Sequence, residues 1–247
     1  MLTLLPILCY HHIGVRHEPH GERGLWVSME RFTQHMNLLV RLGYQSITLG
    51  QLGEVLSGRM PRPRRAVVLT FDDAYDNFND WAWPVLRERG MTATVFVVTG
   101  LVGGRSEWDG EDAAPLMDWP TLGRLAKAGV ECASHTVSHP HLSQVSPEVM
   151  SEELSLSRQT LEHELGQSVT TLAYPSGDFN PAVIAAARHA GYQTACTIQR
   201  GNRHGPATCM SLKRVPIDEN VTVKRLRRRL RIGYDYEWRL HHALGRE

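Results

Sequence analysis

Cysteine is scarce in this 247-residue sequence, and the four cysteines present form no C-x-x-C pair. That spacing argues against a cysteine zinc site and against a small disulfide-rich scaffold. The chain also lacks an apolar run of about 18 residues, so we expect no transmembrane helix. Positive and negative charges nearly cancel, which leaves a formal net charge of +1. We therefore expect no strong attraction to nucleic acid and no nucleic-acid partner.

The amino-terminal segment does not have the pattern of a secretory signal. Residues 1–10 are mostly apolar and contain no basic residue. His11 and His12 stand where a small-residue cleavage site would follow. We interpret residues 4–10 as a buried strand. The expectation is a cytoplasmic or membrane-peripheral protein, or an exported one if a signal peptide has already been removed.

The composition is that of a folded globular protein. Hydrophobic residues make up 42% of the chain and charged residues 21%, both close to the average of soluble domains. Single-domain α/β barrels commonly reach about 250 residues, so we predict one domain over residues 1–247.

Strand and helix patterns alternate along most of the chain. The predicted strands cover residues 4–10, 66–71, 92–98, 130–134, 171–174, 194–198 and 212–217. The predicted helices cover residues 28–43, 48–57, 79–89, 120–128, 146–166, 180–191 and about 221–231. This alternation predicts parallel strands with helical crossovers, in a closed barrel or in an open doubly wound sheet. Functional residues of both folds lie at the carboxyl ends of the strands.

Two adjacent carboxylates, Asp72 and Asp73, follow the predicted strand 66–71. Such a pair is costly to bury unless a cation relieves the repulsion, after which the second carboxylate can serve as a base. The alternative is a helix-capping or turn pair, with Asp76 and Asp80 continuing an acidic surface.

A second polar group follows the predicted strand 130–134. His135 and His139 are four residues apart, so a single helical turn would put both imidazoles on one side. Two histidines and a carboxylate are a common ligand set for zinc or a related metal with open positions. His141 is a third candidate, for which we favour a packing or rim position.

Two further strand ends carry polar groups. Residues 174–178, Tyr-Pro-Ser-Gly-Asp, form a Pro-x-Gly turn that could bring a backbone N–H to a developing oxyanion or could be a plain β-turn. Tyr10, His11 and His12 end the first strand. A barrel would gather all four strand ends at one rim.

These residues resemble the motifs of the polysaccharide deacetylases of carbohydrate esterase family 4, the NodB-homology domain. Residues 70–73 (TFDD) match the first motif, residues 134–140 (SHTVSHP) the second and residues 173–177 (AYPSG) the third. The resemblance covers about residues 4–217. It implies a distorted (β/α)7 barrel and a hydrolase that removes N-acetyl groups from amino sugars of polymers with a divalent metal, usually zinc.

Transferred to this chain, the resemblance implies metal ligands at Asp73, His135 and His139. It makes Asp72 the general base and gives the Ser176 N–H a place in the oxyanion hole. The chain departs from the family at Ala173, where an arginine is usual, at Ser176, where an aromatic is usual, and in lacking the late motifs.

The Tyr10-His11 element is similar to the subgroup that deacetylates poly-N-acetylglucosamine-like exopolysaccharides. By that likeness His11 is the general acid, with His204 as a fallback. We further expect that Arg214 replaces the missing arginine and holds Asp72 ionised.

Two alternative functions stay open. One is a deacylase of a small amide, nucleotide sugar or lipid-linked sugar on the same fold. The other is a catalytically weak carbohydrate-binding module. The aromatic residues Trp26, Trp108 and Trp119 lie in predicted loops and could stack on sugar rings or simply pack.

The predicted carboxyl-terminal helix is strongly basic. Residues 224–231 contain six basic side chains in eight positions. They indicate either a solvated helix face or contact with an anionic membrane or polymer. Leu226, Leu230 and Tyr234 form a narrow apolar stripe that would dock the helix on the barrel.

Overall fold

The computed structural model describes residues 3–14 and 25–232. Its strands are β1 (Thr3–Leu4), β2 (Ile7–Tyr10), β3 (His12–Ile13), β4 (Trp26–Val27), β5 (Gln45–Ile47), β6 (Ala66–Phe71), β7 (Thr94–Val97), β8 (Glu131–Ser134), β9 (Thr171–Ala173), β10 (Thr194–Arg200), β11 (Arg203–His204) and β12 (Leu212–Pro216). Its α-helices are α1 (Met29–Arg41), α2 (Leu49–Leu56), α3 (Trp83–Glu88), α4 (Trp119–Lys127), α5 (Pro147–Leu165), α6 (Pro181–His189) and α7 (Val223–Ile232). None of these helices is both long and apolar enough to cross a bilayer.

Seven strands close into a parallel barrel in the order β2-β12-β10-β9-β8-β7-β6. The ring closes because β6 pairs in parallel with β2, in register from Ile7 with Val68 to Tyr10 with Phe71. The short strand β5 pairs with the first half of β6, and β7 pairs with the last two residues of β6. The predicted (β/α)7 barrel is confirmed, and the open doubly wound sheet is wrong.

Strand β6 shows why the barrel strands are apolar throughout. Val67, Leu69 and Phe71 pack in the large core between the barrel and its helices. Ala66 and Val68 belong to a second cluster inside the barrel. Because both faces are buried, the strand is continuously hydrophobic instead of alternating.

Helix α2 packs against the amino-terminal end of the barrel interior. Its Leu49 and Leu52 join the interior cluster. The Glu131 carboxylate accepts hydrogen bonds from the Gly50 N–H at 3.1 Å and from the Thr94 hydroxyl at 2.7 Å. An anion at a helix amino terminus is favourable, since unpaired N–H groups and the helix dipole meet there. The polar groups of the carboxyl ends therefore lie at the opposite end from α2.

The predicted helix starts are confirmed where side chains cap them. Ser28, Thr48, Ser146 and Asn180 each accept a hydrogen bond from the backbone N–H three residues later. Such a cap satisfies a donor that has no partner inside the helix.

Several predicted elements differ from the structure. The expected strand 4–10 is two strands, because Pro6 between β1 and β2 has no N–H for a ladder. The helix expected over 79–89 starts with a π-helical turn, Phe78–Ala82, followed by α3. In α7, Leu226 and Leu230 are buried, as the docking interpretation predicts. Tyr234 lies outside the described residues.

Candidate metal centre and active site

The two neighbouring aspartates after β6 reach different partners. Asp73 has φ +72° and Ala74 φ +58°, so the chain turns sharply in the left-handed region directly after Asp72. Asp72 bonds to Arg214 from β12, whereas Asp73 faces His135 and His139 from the loop after β8. The two adjacent carboxylates therefore make different interactions, Asp72 with an arginine and Asp73 with two histidines.

Asp73, His135 and His139 converge on one point. His135 Nε2 lies 3.4 Å from Asp73 Oδ1, and His139 Nε2 lies 3.6 Å from the same oxygen. Asp73 Oδ1 is buried and has no hydrogen-bond partner among the described residues. These three residues form one of two groups in the described chain whose ligand atoms lie close enough to hold a metal ion.

The protonation state of the histidines fits a cation between these groups. His135 Nδ1–H donates to the Ala173 carbonyl oxygen at 2.7 Å, so the Nε2 of the neutral ring presents a lone pair to the Asp73 carboxylate. Burial lowers the pKa of His135 to about 4 and that of His139 to about 3. Burial and the Asp72 charge raise the pKa of Asp73. An imidazole lone pair that faces a carboxylate oxygen is unfavourable without a cation between them. A divalent ion would accept electron pairs from Asp73, His135 and His139 together.

The histidine loop is held by a glutamate that the sequence analysis did not identify. The Glu153 carboxylate, on α5, accepts from the Val137 N–H at 2.8 Å, the Ser138 N–H at 3.0 Å and the Ser138 hydroxyl at 2.6 Å. A signal for it existed, because residue 153 falls on the same helical face as Met150 and Ser157. An acidic residue on a buried face needs partners.

Asp72 and Arg214 form a bidentate ion pair inside the barrel mouth. Arg214 Nη1 lies 2.6 Å from Asp72 Oδ1, and Nη2 lies 2.7 Å from Oδ2. The predicted contact of Arg214 with Asp72 is thus present. Burial raises the pKa of the Asp72 carboxyl, but the charges of Arg214 and His11 outweigh it and hold this pKa well below its usual range.

His11 and Cys9 lie on the other side of Asp72. His11 Nε2 is 3.7 Å from Asp72 Oδ2. The Cys9 thiol, also directed into the barrel mouth, lies 3.8 Å from the same oxygen. No motif in the sequence indicates a role for Cys9.

The turn after β9 has the strained geometry expected of a close approach. Ser176 has φ +53° and Gly177 φ +63°. A Cβ added at Gly177 would lie 2.3 Å from the Ile198 side chain, so only glycine fits there. The Gly177 N–H donates back to the Tyr174 carbonyl at 2.8 Å, whereas the Ser176 N–H donates to no described atom.

Left-handed backbone is concentrated around this site. The described non-glycine residues with positive φ are Asp73, Ala74, Thr136, His139 and Ser176. All five belong to the three loops that follow β6, β8 and β9. Strained backbone of this kind persists where the surrounding structure fixes it, often at functional sites.

A cavity of about 740 Å³ opens over these groups. Asp72, Asp73, His135, His139, His11, Arg214 and Ser176 all line it. His141 lines it too, in the rim position favoured from the sequence. Trp108 forms part of the wall and stacks on His139 with ring centres 4.3 Å apart. Ile198 and Arg200, both exposed, also line the cavity and carry no motif that sequence reasoning could detect.

Other candidates lie elsewhere. His204 is fully buried on β11 and does not line the cavity, so it is wrong as the fallback acid. His12 stacks on Trp26 at 4.2 Å and against Tyr75 at 3.6 Å, which makes Trp26 a packing residue. Trp119 packs partly buried against the core.

Comparison with known proteins identifies the family. The family model described as polysaccharide deacetylase matches residues 59–195. YxkH of Bacillus subtilis, a candidate polysaccharide deacetylase, is 29% identical over 219 residues, covering 88% of this chain and 73% of that protein. The poly-β-1,6-N-acetyl-D-glucosamine N-deacetylase of Escherichia coli K12 is 29% identical over 130 residues, which are 50% of this chain and only 19% of that protein.

A solved structure supports the same assignment. The deacetylase PplD of Streptococcus pyogenes, solved in complex with acetate, superposes with a TM-score of 0.81 and 28% identity over 92% of this chain and 98% of that chain. The predicted fold, family and hydrolase class are confirmed. This chain belongs to the polysaccharide deacetylase family.

Proposed function

We propose that this protein is a metal-dependent hydrolase that removes N-acetyl groups from the amino sugars of an exopolysaccharide or cell-envelope glycan. The observation that carries the proposal is the convergence of Asp73, His135 and His139 at 3.4–3.6 Å around an orphaned carboxylate oxygen. Family membership supplies the class of reaction. We further propose that residues 1–247 act as one catalytic domain.

Zinc is the proposed ion, because two imidazoles and one carboxylate with open positions suit a catalytic zinc site. When bound, such an ion polarises an acetamide carbonyl and lowers the pKa of a water nucleophile toward about 7. The Ala173 carbonyl fixes the His135 ring, and Glu153 fixes the backbone before His139. The ligand set is thereby held before an ion arrives.

Asp72 is the proposed general base. Arg214 keeps it ionised and fixes both of its oxygens. Its low pKa makes it a weak base, so proton transfer is effective only from an attacking water whose own pKa has been lowered. Positioned proton-transfer groups of this kind typically contribute about 10²–10⁴-fold to rate.

His11 is the proposed general acid. An amine anion is a poor leaving group, so the amide nitrogen must gain a proton as its bond to carbon breaks. His11 Nε2 lies 3.7 Å from Asp72 Oδ2 on the cavity wall, close enough to act on the same scissile bond. The Ser176 N–H would donate to the oxyanion that develops on the acetyl carbonyl oxygen.

A glucosamine polymer is the proposed substrate class. The named activity of the Escherichia coli relative supports it. The Trp108 ring on the cavity wall offers a surface on which a sugar ring can stack.

The experiment is an acetate-release assay on N-acetylated glucosamine polymers and on small N-acetyl sugars. The enzyme is stripped with a chelator and reloaded with one equivalent of zinc. We expect acetate and free amine in equal amounts from the polymer, and none from the stripped enzyme. A zinc-loaded, folded enzyme that releases no acetate from any polymer would contradict the proposal.

We also propose a cytoplasmic or membrane-peripheral location, or an exported one if a signal peptide has been removed, with α7 against an anionic membrane. Its exposed basic side chains are Lys224, Arg225, Arg227, Arg228 and Arg231. Leu226 and Leu230 pack inward, so attraction would be electrostatic, at about 1 kcal/mol per basic residue near the surface. Co-sedimentation with phosphatidylserine vesicles at low salt, lost at high salt and absent with neutral vesicles, is the expected result. Equal sedimentation with neutral vesicles would contradict it.

A further inference from the structure

A second group of metal-ligating side chains lies beside the first. Ligand atoms of Cys9, His11 and Asp72 all lie within 4.8 Å of one another. The Cys9 Sγ to Asp72 Oδ2 distance is 3.8 Å, and the His11 Nε2 to Asp72 Oδ2 distance is 3.7 Å. This second group lines the same cavity as the first group, and the two groups have no residue in common.

The donor set of this second group differs in chemistry from the first. It offers a thiol sulfur, an imidazole nitrogen and a carboxylate oxygen. Thiolate and imidazole together favour zinc and similar borderline or soft cations over magnesium or calcium. The separations between the donor atoms are similar to those between Asp73 and its two histidines, so a small contraction would bring all three onto one ion.

We propose that Cys9, His11 and Asp72 form a second, weaker site for a zinc-like cation, and that filling it inhibits the enzyme. The inhibitory part rests on the proposed function, because it assumes that Asp72 and His11 are the base and the acid. Ion binding itself does not depend on that assumption.

Occupancy of this site would block both proton-transfer groups at once. The ion occupies the Asp72 oxygen that would accept a proton and replaces the Nε2 proton that His11 would donate. Cys9 loses its thiol proton to solvent as the sulfur–metal bond forms, and His11 in its acid form loses its Nε2 proton as the nitrogen–metal bond forms, so up to two protons are released for each ion bound. Atoms and charge balance without any change of oxidation state.

Arg214 explains why this second site should be the weaker one. Its buried guanidinium already bonds to both Asp72 oxygens, at 2.6 and 2.7 Å. It therefore neutralises the carboxylate and repels an incoming cation. The Asp73 oxygen has no such partner among the described residues. The first equivalent of metal should accordingly fill the Asp73 group, and only an excess should fill the Cys9 group.

Cobalt titration tests binding independently of activity. Cobalt(II) is added stepwise to the stripped enzyme, and the near-ultraviolet thiolate-to-cobalt charge-transfer band is followed. We expect no such band with the first equivalent and its appearance with the second. The band should disappear in Cys9→Ala and persist in Cys209→Ser, a matched control because Cys209 is a half-buried thiol outside both groups.

Zinc titration of acetate release tests the inhibition. Each variant is normalised to its own activity at one equivalent of zinc. Excess zinc should inhibit the wild type and Cys209→Ser alike, whereas Cys9→Ala should need at least about 10-fold more zinc, since a ligand is lost. Should Cys9→Ala fold poorly, as judged by circular dichroism, Cys9→Ser provides a closer match in size and still abolishes the charge-transfer band.

The outcomes separate the two proposals. A band that never appears at the second equivalent, or that survives in both Cys9 variants, overturns the second site. Inhibition that is the same in Cys9→Ala and wild type overturns its inhibitory role. A Cys9-dependent band in the cobalt titration, combined with a zinc-loaded enzyme that releases no acetate, upholds the site and overturns the proposed function.

Discussion

Arg214 binds Asp72 end-on, with each terminal guanidinium nitrogen donating to a different carboxylate oxygen at 2.6 and 2.7 Å. The two residues are 142 positions apart, because Asp72 follows β6 and Arg214 lies in β12, the two barrel strands that flank β2. Arg214 is 1% exposed and its Nε–H also donates to the Thr197 carbonyl. The pair is thus fixed in place and oriented toward the cavity.

Asp72→Asn should retain the metal and lose turnover. The amide cannot accept the proton of the attacking water, so we expect kcat to fall by about 10²–10⁴-fold. Asp73, His135 and His139 are unchanged, so the zinc content measured by mass spectrometry should stay at one ion per chain when one equivalent is supplied. A variant with near wild-type kcat would rule out Asp72 as the base.

Arg214→Met should destabilise the fold. It leaves the Asp72 carboxylate buried without a partner, a change that typically costs about 3–5 kcal/mol. The free energy of unfolding in urea is the measurement, and Asp72→Asn in the same chain should recover part of the loss. The control is Arg59→Met, which breaks the exposed Arg59–Glu54 pair and should leave the free energy of unfolding nearly unchanged. Equal losses in the two single variants would contradict the prediction.

His139→Ala should lose metal. It removes one of three ligands, so we expect zinc to be retained at well below one ion per chain after gel filtration, with activity lost in parallel. His141→Ala, two residues away and exposed on the cavity rim, is the matched control and should retain zinc. Full zinc retention and turnover in His139→Ala would exclude it as a ligand.

Glu153→Gln should weaken zinc binding without removing a ligand. The amide keeps an acceptor but loses the charge that holds the Val137 and Ser138 N–H groups. Groups that orient metal ligands typically change affinity by about 10–100-fold. The zinc dissociation constant, measured by chelator competition, should rise in Glu153→Gln. It should be unchanged in Glu152→Gln, whose side chain is exposed. Identical constants in both variants would contradict the role.

His35 should make stability fall in acid. Its Nε2–H donates to the Val221 carbonyl oxygen at 2.6 Å, and its Nδ1 accepts from the Tyr10 hydroxyl at 3.2 Å. Burial lowers the pKa of His35 to about 4, from an unfolded value of about 6.5. The unfolded chain therefore binds more protons between these values, so this contribution is present above about pH 6.5 and is lost as the pH falls toward 4.

The size of that loss is about 3 kcal/mol, from a pKa difference of about 2.5 units. The free energy of unfolding in urea is measured at pH 7 and pH 4.5 for wild type, for His35→Gln and for His163→Gln, whose side chain is exposed. His35→Gln should lose less stability between the two pH values than the other two proteins. The same loss in all three would show that His35 does not carry the effect.

The sequence predicted most of the barrel and the grouping of its polar strand ends. Long apolar strands such as β6 and capped helices such as α5 carry strong local signals. The three-residue strand β5 was missed, because Gln-Ser-Ile is short and polar and pairs only with the start of β6. The π-helical turn before α3 was missed because periodicity cannot distinguish it from an α-helix.

In the site, motif residues were predictable and their surroundings were not. The contact of Arg214 with Asp72 could be predicted, because Ala173 stands where the family usually has an arginine and another arginine had to replace it. Cys9, Trp108 and Ile198 reach the cavity from three different loops or strand ends, and no local pattern marks side chains brought together only by barrel closure. His204 was a plausible acid by residue type alone, but it lies on β11 and does not line the cavity.

The left-handed residues around the cavity set a limit on how this protein can be improved. Each non-glycine residue in that conformation costs about 1–3 kcal/mol, and the five described here lie in the loops that present Asp73, His139 and Ser176. Selection for heat resistance alone would favour glycine or asparagine at these positions. Such changes would relax the backbone, but they would also replace two of the proposed metal ligands, Asp73 and His139. Substitutions that raise the thermal stability of this enzyme therefore belong in the helices and at the α2 end of the barrel, where they leave the reacting groups unchanged.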